Sequence, residues 1–168
     1  FPKDFLQLQQ KQGIILVQNC YTSWRNPALQ SENTRGRMKK TAAHDARQAG
    51  GSNMLCTIQN GALQARVDTL GAQLMNLTGE TEYLWQGNPQ YWKDRSITIF
   101  PYVARLTDGK YTYRGKTYHL PIHGFAPGAE FAVVRQTQEA VTLAIEKTPE
   151  FYAQYPFDFR YEITYRLE

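Results

Sequence analysis

Residues 110–120 read KYTYRGKTYHL, a strand-turn-strand pattern. Tyr111 and Tyr113, then Tyr118 and Leu120, alternate with polar neighbours at the two-residue period of a strand, and Arg114-Gly115 interrupts them as a tight turn. The expected element is a β-hairpin. The same grammar extends outward in both directions. LCTIQ (55–59) and LQARV (63–67) flank Asn60-Gly61, a strong short hairpin signal, and AQLMNL (72–77) follows Gly71. After Gly79-Glu80 comes EYLW (82–85), and beyond the central hairpin lie AEFAVVRQ (129–136), AVTLAIEK (140–147) and FRYEITYRLE (159–168). These short alternating runs, spaced by turn residues and without a convincing helix, predict an all-β fold: an antiparallel β-sandwich. The last run holds its alternation up to Glu168 without a turn, so the sandwich is expected to be truncated there.

With 168 residues, 42% of them hydrophobic and 13% aromatic, the chain has enough apolar material for one domain core. No run approaches the 18 or so apolar residues of a membrane helix, and GIILV (13–17) is too short and poorly flanked for a signal peptide. A cytoplasmic protein without a membrane partner is therefore expected. Cys20 and Cys56 fall in unrelated regions and suggest no disulfide framework. The sequon Asn76-Leu77-Thr78 is read as chance in the absence of a secretory signal.

The net charge of +4 is unevenly placed. Residues 1–53 hold eight Lys/Arg against three Asp/Glu, whereas residues 54–168 hold eleven against twelve. Basicity thus argues for a polyanion only through the first third, where Arg35 to Lys40 cluster without interleaved aromatics, so nucleic acid is not an expected partner. Residues 1–53 show no sustained period and are read as a disordered basic leader or tail. The chain starts with Phe1, and clear patterning starts at Met54, which is expected to be the true start. Ala49-Gly50-Gly51 can be encoded with AGGAGG, a bacterial ribosome-binding sequence, ahead of a Met54 start codon. On that reading residues 1–53 are translated leader, and 54–168 is the domain.

Two residues at opposite ends of the central hairpin draw attention. Arg105 sits in the apolar run ITIFPYVARL (97–106), where a guanidinium is costly to bury unless it meets an acceptor. It is either a ligand-reaching arginine or an edge arginine whose head reaches water. His123 follows Pro121-Ile122 and precedes Gly124, in a turn that could present an imidazole to a ligand, whereas His119 lies on the strand and is read as structural. Their four-residue spacing is not a metal pair, because Pro121 excludes a helix and no third ligand offers itself. Neither a nucleophile motif nor a glycine-rich phosphate loop is present, so no cofactor and no metal are expected. Tyr83, Trp85, Tyr91, Trp92, Phe100, Tyr102 and Phe125 could stack on sugar C–H faces, although aromatics in a sandwich are usually core. Asp108-Gly109 reads as an ordinary turn, and Asp94 adjoins Lys93 and Arg95, so neither carboxylate stands out as an acid or base.

Together, YWKDRSITIFPYVARLTDGKYTYRGKTYHLPIHGFA (91–126) and the opening IQNGALQARVDTLGAQLMNL (58–77) resemble the aldose 1-epimerase (galactose mutarotase) superfamily, most closely its bacterial LacX-like branch. The resemblance covers residues 54–168. It implies a galactose mutarotase-like supersandwich that interconverts the α and β anomers of a free hexose without a cofactor. A glutamate takes the anomeric hydroxyl proton and a histidine protonates the ring oxygen; the ring opens, the C1–C2 bond rotates and the ring recloses. Arg105 matches the family's sugar-contacting arginine. His123 matches a supporting histidine near the ring oxygen, and with Phe125 of the HGFA element these form the implied substrate-binding set. The branch's arginine after HGFA is replaced here by Pro127 and Gly128. The acid histidine, a sugar-binding aspartate and the glutamate base lie in a second half expected to follow Glu168, so this chain alone is expected to be inactive. Two alternatives stay open: a non-catalytic carbohydrate-binding protein, and a hexose-6-phosphate epimerase-like protein, against which the near-neutral charge of 54–168 weighs.

Overall fold

A computed structural model describes residues 54–168 and the backbone of residues 14–17. The reading of residues 1–53 as disordered leader lies outside the described residues, except at 14–17. There the backbone forms strand β1 (Ile14–Val17), which pairs antiparallel with the last strand. The remaining strands are β2 (Leu55–Gln59), β3 (Gln64–Asp68), β4 (Gln73–Thr78), β5 (Lys110–Tyr113), β6 (Lys116–His119), β7 (Ala132–Gln136), β8 (Ala140–Glu146) and β9 (Arg160–Leu167). One sheet runs β1-β9-β8-β7, a second β2-β3-β4, and β5-β6 form a separate ribbon. All pairings between these strands are antiparallel.

The sandwich follows from alternation. β2 buries Cys56 and Ile58 between exposed neighbours, and β9 buries Tyr161, Ile163, Tyr165 and Leu167 at every second position. These inward residues from the two larger sheets meet in one core with Val67, Leu74, Val141, Leu143 and Ile145. Tyr165 ties the layers with a polar bond as well, its hydroxyl donating to the Ala72 carbonyl at 2.8 Å; burial pushes that hydroxyl's pKa up.

Local expectations are borne out at one place and corrected at two. The Asn60-Gly61 hairpin forms where it was expected, and only its width differs: residues 60–63 make the connection, with the Asn60 side chain accepting from the Ala62 and Leu63 amides. EYLW is not a strand: it meets β4 only through a bridge from Thr78 to Glu82, and the Glu82 carboxylate takes the Leu77 and Leu84 amides a ladder would have used. Finally, a short helix α1 (Pro149–Gln154) stands before β9, with the Thr148 hydroxyl accepting from the Phe151 amide and Pro149 in its first turn.

The ribbon β5-β6 stands over this frame. Arg114 and Gly115 both have positive φ, 48° and 76°, as a two-residue primed turn requires, and Tyr113 pairs Lys116 directly across it. The Tyr111 hydroxyl donates to the Gln154 carbonyl of α1 at 2.9 Å, and burial pushes its pKa up to about 12.

Candidate functional site at the base of the hairpin

The site grows from the two chain segments that enter and leave the ribbon. The Leu120 amide donates to the Gly109 carbonyl at 2.9 Å, one step below the ribbon, and the chain then turns at Pro121–Gly124, closed by the Gly124 amide on the Pro121 carbonyl at 3.0 Å. His123 occupies the third position of that turn with φ 66°, the sign a type II turn demands there. Few side chains adopt this region, and histidine is one of the enriched exceptions.

Gly124 has φ 77° and no room for any other residue, since a Cβ there would lie 2.1 Å from the Phe100 carbonyl oxygen. This close approach brings the segment before the hairpin against the turn after it. The Phe100 amide donates to the His123 carbonyl and the Ala126 amide to the Phe100 carbonyl, both at 3.2 Å; the Phe100-Pro101 peptide is cis.

The decisive contact is reciprocal. The His123 amide donates to the Ala104 carbonyl at 2.9 Å, and the Ala104 amide donates to His123 Nδ1 at 3.2 Å. An Nδ1 that accepts carries no proton, so the neutral ring holds its proton on Nε2. One imidazole is thereby fixed in position and tautomer by the residue preceding Arg105. Ala104 itself is left-handed, with φ 71°, and four of the five described non-glycine residues of positive φ lie between 104 and 123. Such conformations persist where surroundings over-determine them, and they concentrate at functional sites.

Ala104, the residue before Arg105, is thus held against His123 although nineteen positions separate the two. Arg105 is exposed, as an arginine whose head reaches water would be, but its segment is irregular and not an edge strand: Pro101 and the left-handed Ala104 break the strand period that ITIFPYVARL suggests. Tyr102, Val103 and Ile122, close in sequence to Arg105 or His123, are exposed as well. Phe125 is placed differently from its expected role. It is 6% exposed, stacks on Phe151 at 4.4 Å between centroids and meets Phe100 edge-on at 5.7 Å, so it underlies the turn as core.

Other candidates fall away from this pair. His119 is exposed on β6 opposite Lys110, and Asp108 forms an ion pair with Lys110 at 3.4 Å, both well exposed. Among the described residues no three His, Cys, Asp or Glu side chains gather to hold a metal ion, and no helix is long and apolar enough to cross a membrane. Where the branch's arginine would follow HGFA, Ala126–Gly128 forms a 3-10 turn.

Sequence reasoning missed one organising carboxylate. Glu82 accepts from the Leu77 and Leu84 amides at 2.9 Å each, from Asn76 Nδ2 at 2.9 Å and from the Thr78 hydroxyl at 3.2 Å. Partial burial acts to raise its pKa, but these donors outweigh that and hold it below the ordinary carboxylate value. A glutamate two residues after Gly79-Glu80 was its only sequence signal.

Comparison with known proteins places the chain. The family model described as aldose 1-epimerase matches residues 54–168. The plasmid and chromosomal forms of Protein LacX from Lactococcus lactis subsp. lactis are each 29% identical over 121 residues, covering 68% of this chain and 40% of theirs. The galactose mutarotase related enzyme from Lactobacillus acidophilus is 36% identical with a TM-score of 0.67, over 68% of this chain and 39% of its own. A galactose mutarotase-like protein from Lactobacillus casei ATCC 334 is 29% identical with a TM-score of 0.66, over 68% and 40%. The chain therefore spans about two-fifths of the length of the relatives it matches.

Proposed function

The chain belongs to the aldose 1-epimerase family, and from that premise we propose that residues 54–168 form the sugar-holding part of a protein that interconverts the α and β anomers of a free hexose. The observation that carries the reading is the Ala104–His123 clamp. It leaves Nε2–H as the ring's donor in the neutral state, which suits hydrogen bonding to a sugar ring oxygen, while the exposed Arg105, next in sequence to Ala104, would donate to sugar hydroxyls.

In anomerisation the anomeric hydroxyl loses its proton to a base as an acid delivers one to the ring oxygen, breaking the C1–O5 bond; the free aldehyde rotates and recloses. His123 and Arg105 would fix the ring for that exchange, and positioning of this kind supports proton transfers worth about 10² to 10⁴ in rate each. The acid histidine and glutamate base belong, by the family resemblance, to the part of its longer relatives that this chain does not match. The division at Met54, a hexose as the small-molecule partner and a cytoplasmic setting are parts of the same proposal.

Titration of the full chain with glucose and galactose, followed by amide chemical shifts, tests it. Shifts should centre on residues 102–106 and 121–126, and Arg105→Ala should weaken binding about tenfold or more, the order expected for a lost charged hydrogen bond. Polarimetry of the same chain should show anomerisation no faster than buffer. Sugar binding unaffected by both Arg105→Ala and His123→Gln would overturn the assignment.

A further inference from the structure

The far end of the ribbon carries a second groove, independent of the hexose reading. It has a volume of about 800 Å³ and runs between the Arg114-Gly115 turn, the loop ahead of α1 and the chain entering β9. Small-molecule sites fall in this size range. It shares no lining residue with the Arg105–His123 pair, and its Arg114-Gly115 end lies a four-residue ribbon away from the ribbon's base, roughly 13 Å at about 3.3 Å per residue.

Its composition is specific. Arg114, Lys116 and Lys147 converge there, each over an aromatic ring of the same groove: Arg114 at 5.3 Å from the Tyr113 centroid, Lys116 at 5.2 Å from Tyr118 and Lys147 at 5.4 Å from Tyr152. All three cations are exposed, and the rings beneath them bias where they sit. Asp158 is the one acid in the lining, and it is bound by Lys147, which leaves the groove a formal +2 although residues 54–168 as a whole, with eleven Lys/Arg against twelve Asp/Glu, are near neutral. Phe157 packs on Tyr113 at 4.8 Å and, with the half-exposed Tyr152, adds apolar wall.

From this geometry we propose that the groove binds a sugar phosphomonoester. A phosphate monoester carries close to two negative charges at neutral pH, matching the +2, and offers three acceptor oxygens to the guanidinium and ammonium donors. The sugar's C–H face supplies apolar surface for the rings. Phosphate on a hexose and phosphate on a nucleoside share this chemistry, and the experiment separates them.

The full chain is titrated with a hexose 6-phosphate, a nucleoside 5′-monophosphate, inorganic phosphate and neutral hexose, with amide shifts as readout. At least one ester should bind, shifting residues 113–118, 147–152 and 156–158, more tightly than inorganic phosphate and more weakly as salt rises. Which ester binds identifies the source. Arg114→Asn combined with Lys116→Gln should cost about tenfold or more in ester affinity, while the melting temperature and neutral-hexose shifts stay unchanged; asparagine tolerates the positive φ at 114. Tyr152→Ala, which removes apolar wall as well as the ring under Lys147, should weaken the ester by more than it weakens inorganic phosphate. The proposal is overturned by no ester binding, by esters no tighter than inorganic phosphate, by affinity indifferent to the double substitution, or by ester binding lost in Arg105→Ala instead.

Discussion

Two aromatic-rich regions of this chain are built on opposite plans. Around the hairpin base, Phe100, Phe125, Phe151, Phe159 and Tyr161 close into one buried cluster, with Phe100 stacked on Tyr161 at 4.5 Å. In the loop 79–95, Tyr83, Trp85, Tyr91 and Trp92 face outward, and polar groups hold the chain: Glu82 gathers its four donors, Gln86 Nε2 bonds the Met75 and Leu84 carbonyls, Arg95 donates to the Gln86 carbonyl and Trp85 Nε1 to the Trp92 carbonyl. The same residue class is scaffold in one region and surface in the other. What separates them is where the backbone hydrogen bonds go.

The sharpest way to break this contrast is at the closest approach in the first region. Gly124→Ala forces a Cβ against the Phe100 carbonyl in a conformation alanine resists, and is expected to destabilise by about 3 kcal/mol or more, enough to leave a marginal chain unfolded. Circular dichroism melts would show it. Phe125→Ala comes next, at about 3–5 kcal/mol from lost burial and the cavity left among three rings. A loss of under about 1 kcal/mol would mean that the cluster is not the scaffold described.

Much of this scaffold was legible in the sequence, and its limits are physical. The ribbon 110–119 and the inward faces of β2, β8 and β9 follow from period-two patterning, which is a local signal. The helix at Pro149–Gln154 carried a readable signature too, in a Thr-Pro-Glu start, but six residues are too few for a 3.6-residue period to emerge. The pairing of Ala104 with His123 is a contact across nineteen positions whose geometry depends on left-handed backbone at an alanine, and no residue type announces that. Phe125 and Tyr91 are both aromatics outside the strand patterns, so the burial of one and the exposure of the other could not be read from residue class. Glu82 hid for the same reason: a lone glutamate near a turn signals nothing until its four donors are in place.

Glu82 is where the second region should yield. Glu82→Gln keeps the shape but removes the charge and one acceptor, and a loss of about 1–3 kcal/mol at neutral pH is expected. The pH dependence has a definite sign. Because the folded pKa lies below the ordinary value of 4.5, the charged form's contribution is complete above about that pH and fades as pH falls through the lowered folded value. The melting-temperature gap between wild type and Glu82→Gln should therefore be constant from neutral pH down to about 4.5 and close in more acid solution. A gap that persists unchanged in acid would assign the effect to shape rather than charge.

The smallest expected effect is the most discriminating. Tyr91 is 77% exposed, and its backbone amide, not its ring, holds the loop by donating to the Asn88 carbonyl at 2.9 Å. Tyr91→Ala removes the ring and keeps that bond, so stability should move by no more than about 0.5 kcal/mol. Trp85→Phe is expected to cost slightly more, about 0.5–1.5 kcal/mol, because it deletes the Nε1 donor while retaining most of the ring. If the order reverses, with the loss of the Tyr91 ring costing more than the loss of the Trp85 donor, then rings and not polar bonds hold the loop. The two regions would then share one plan, and the outward-facing aromatics would have to be counted as packing.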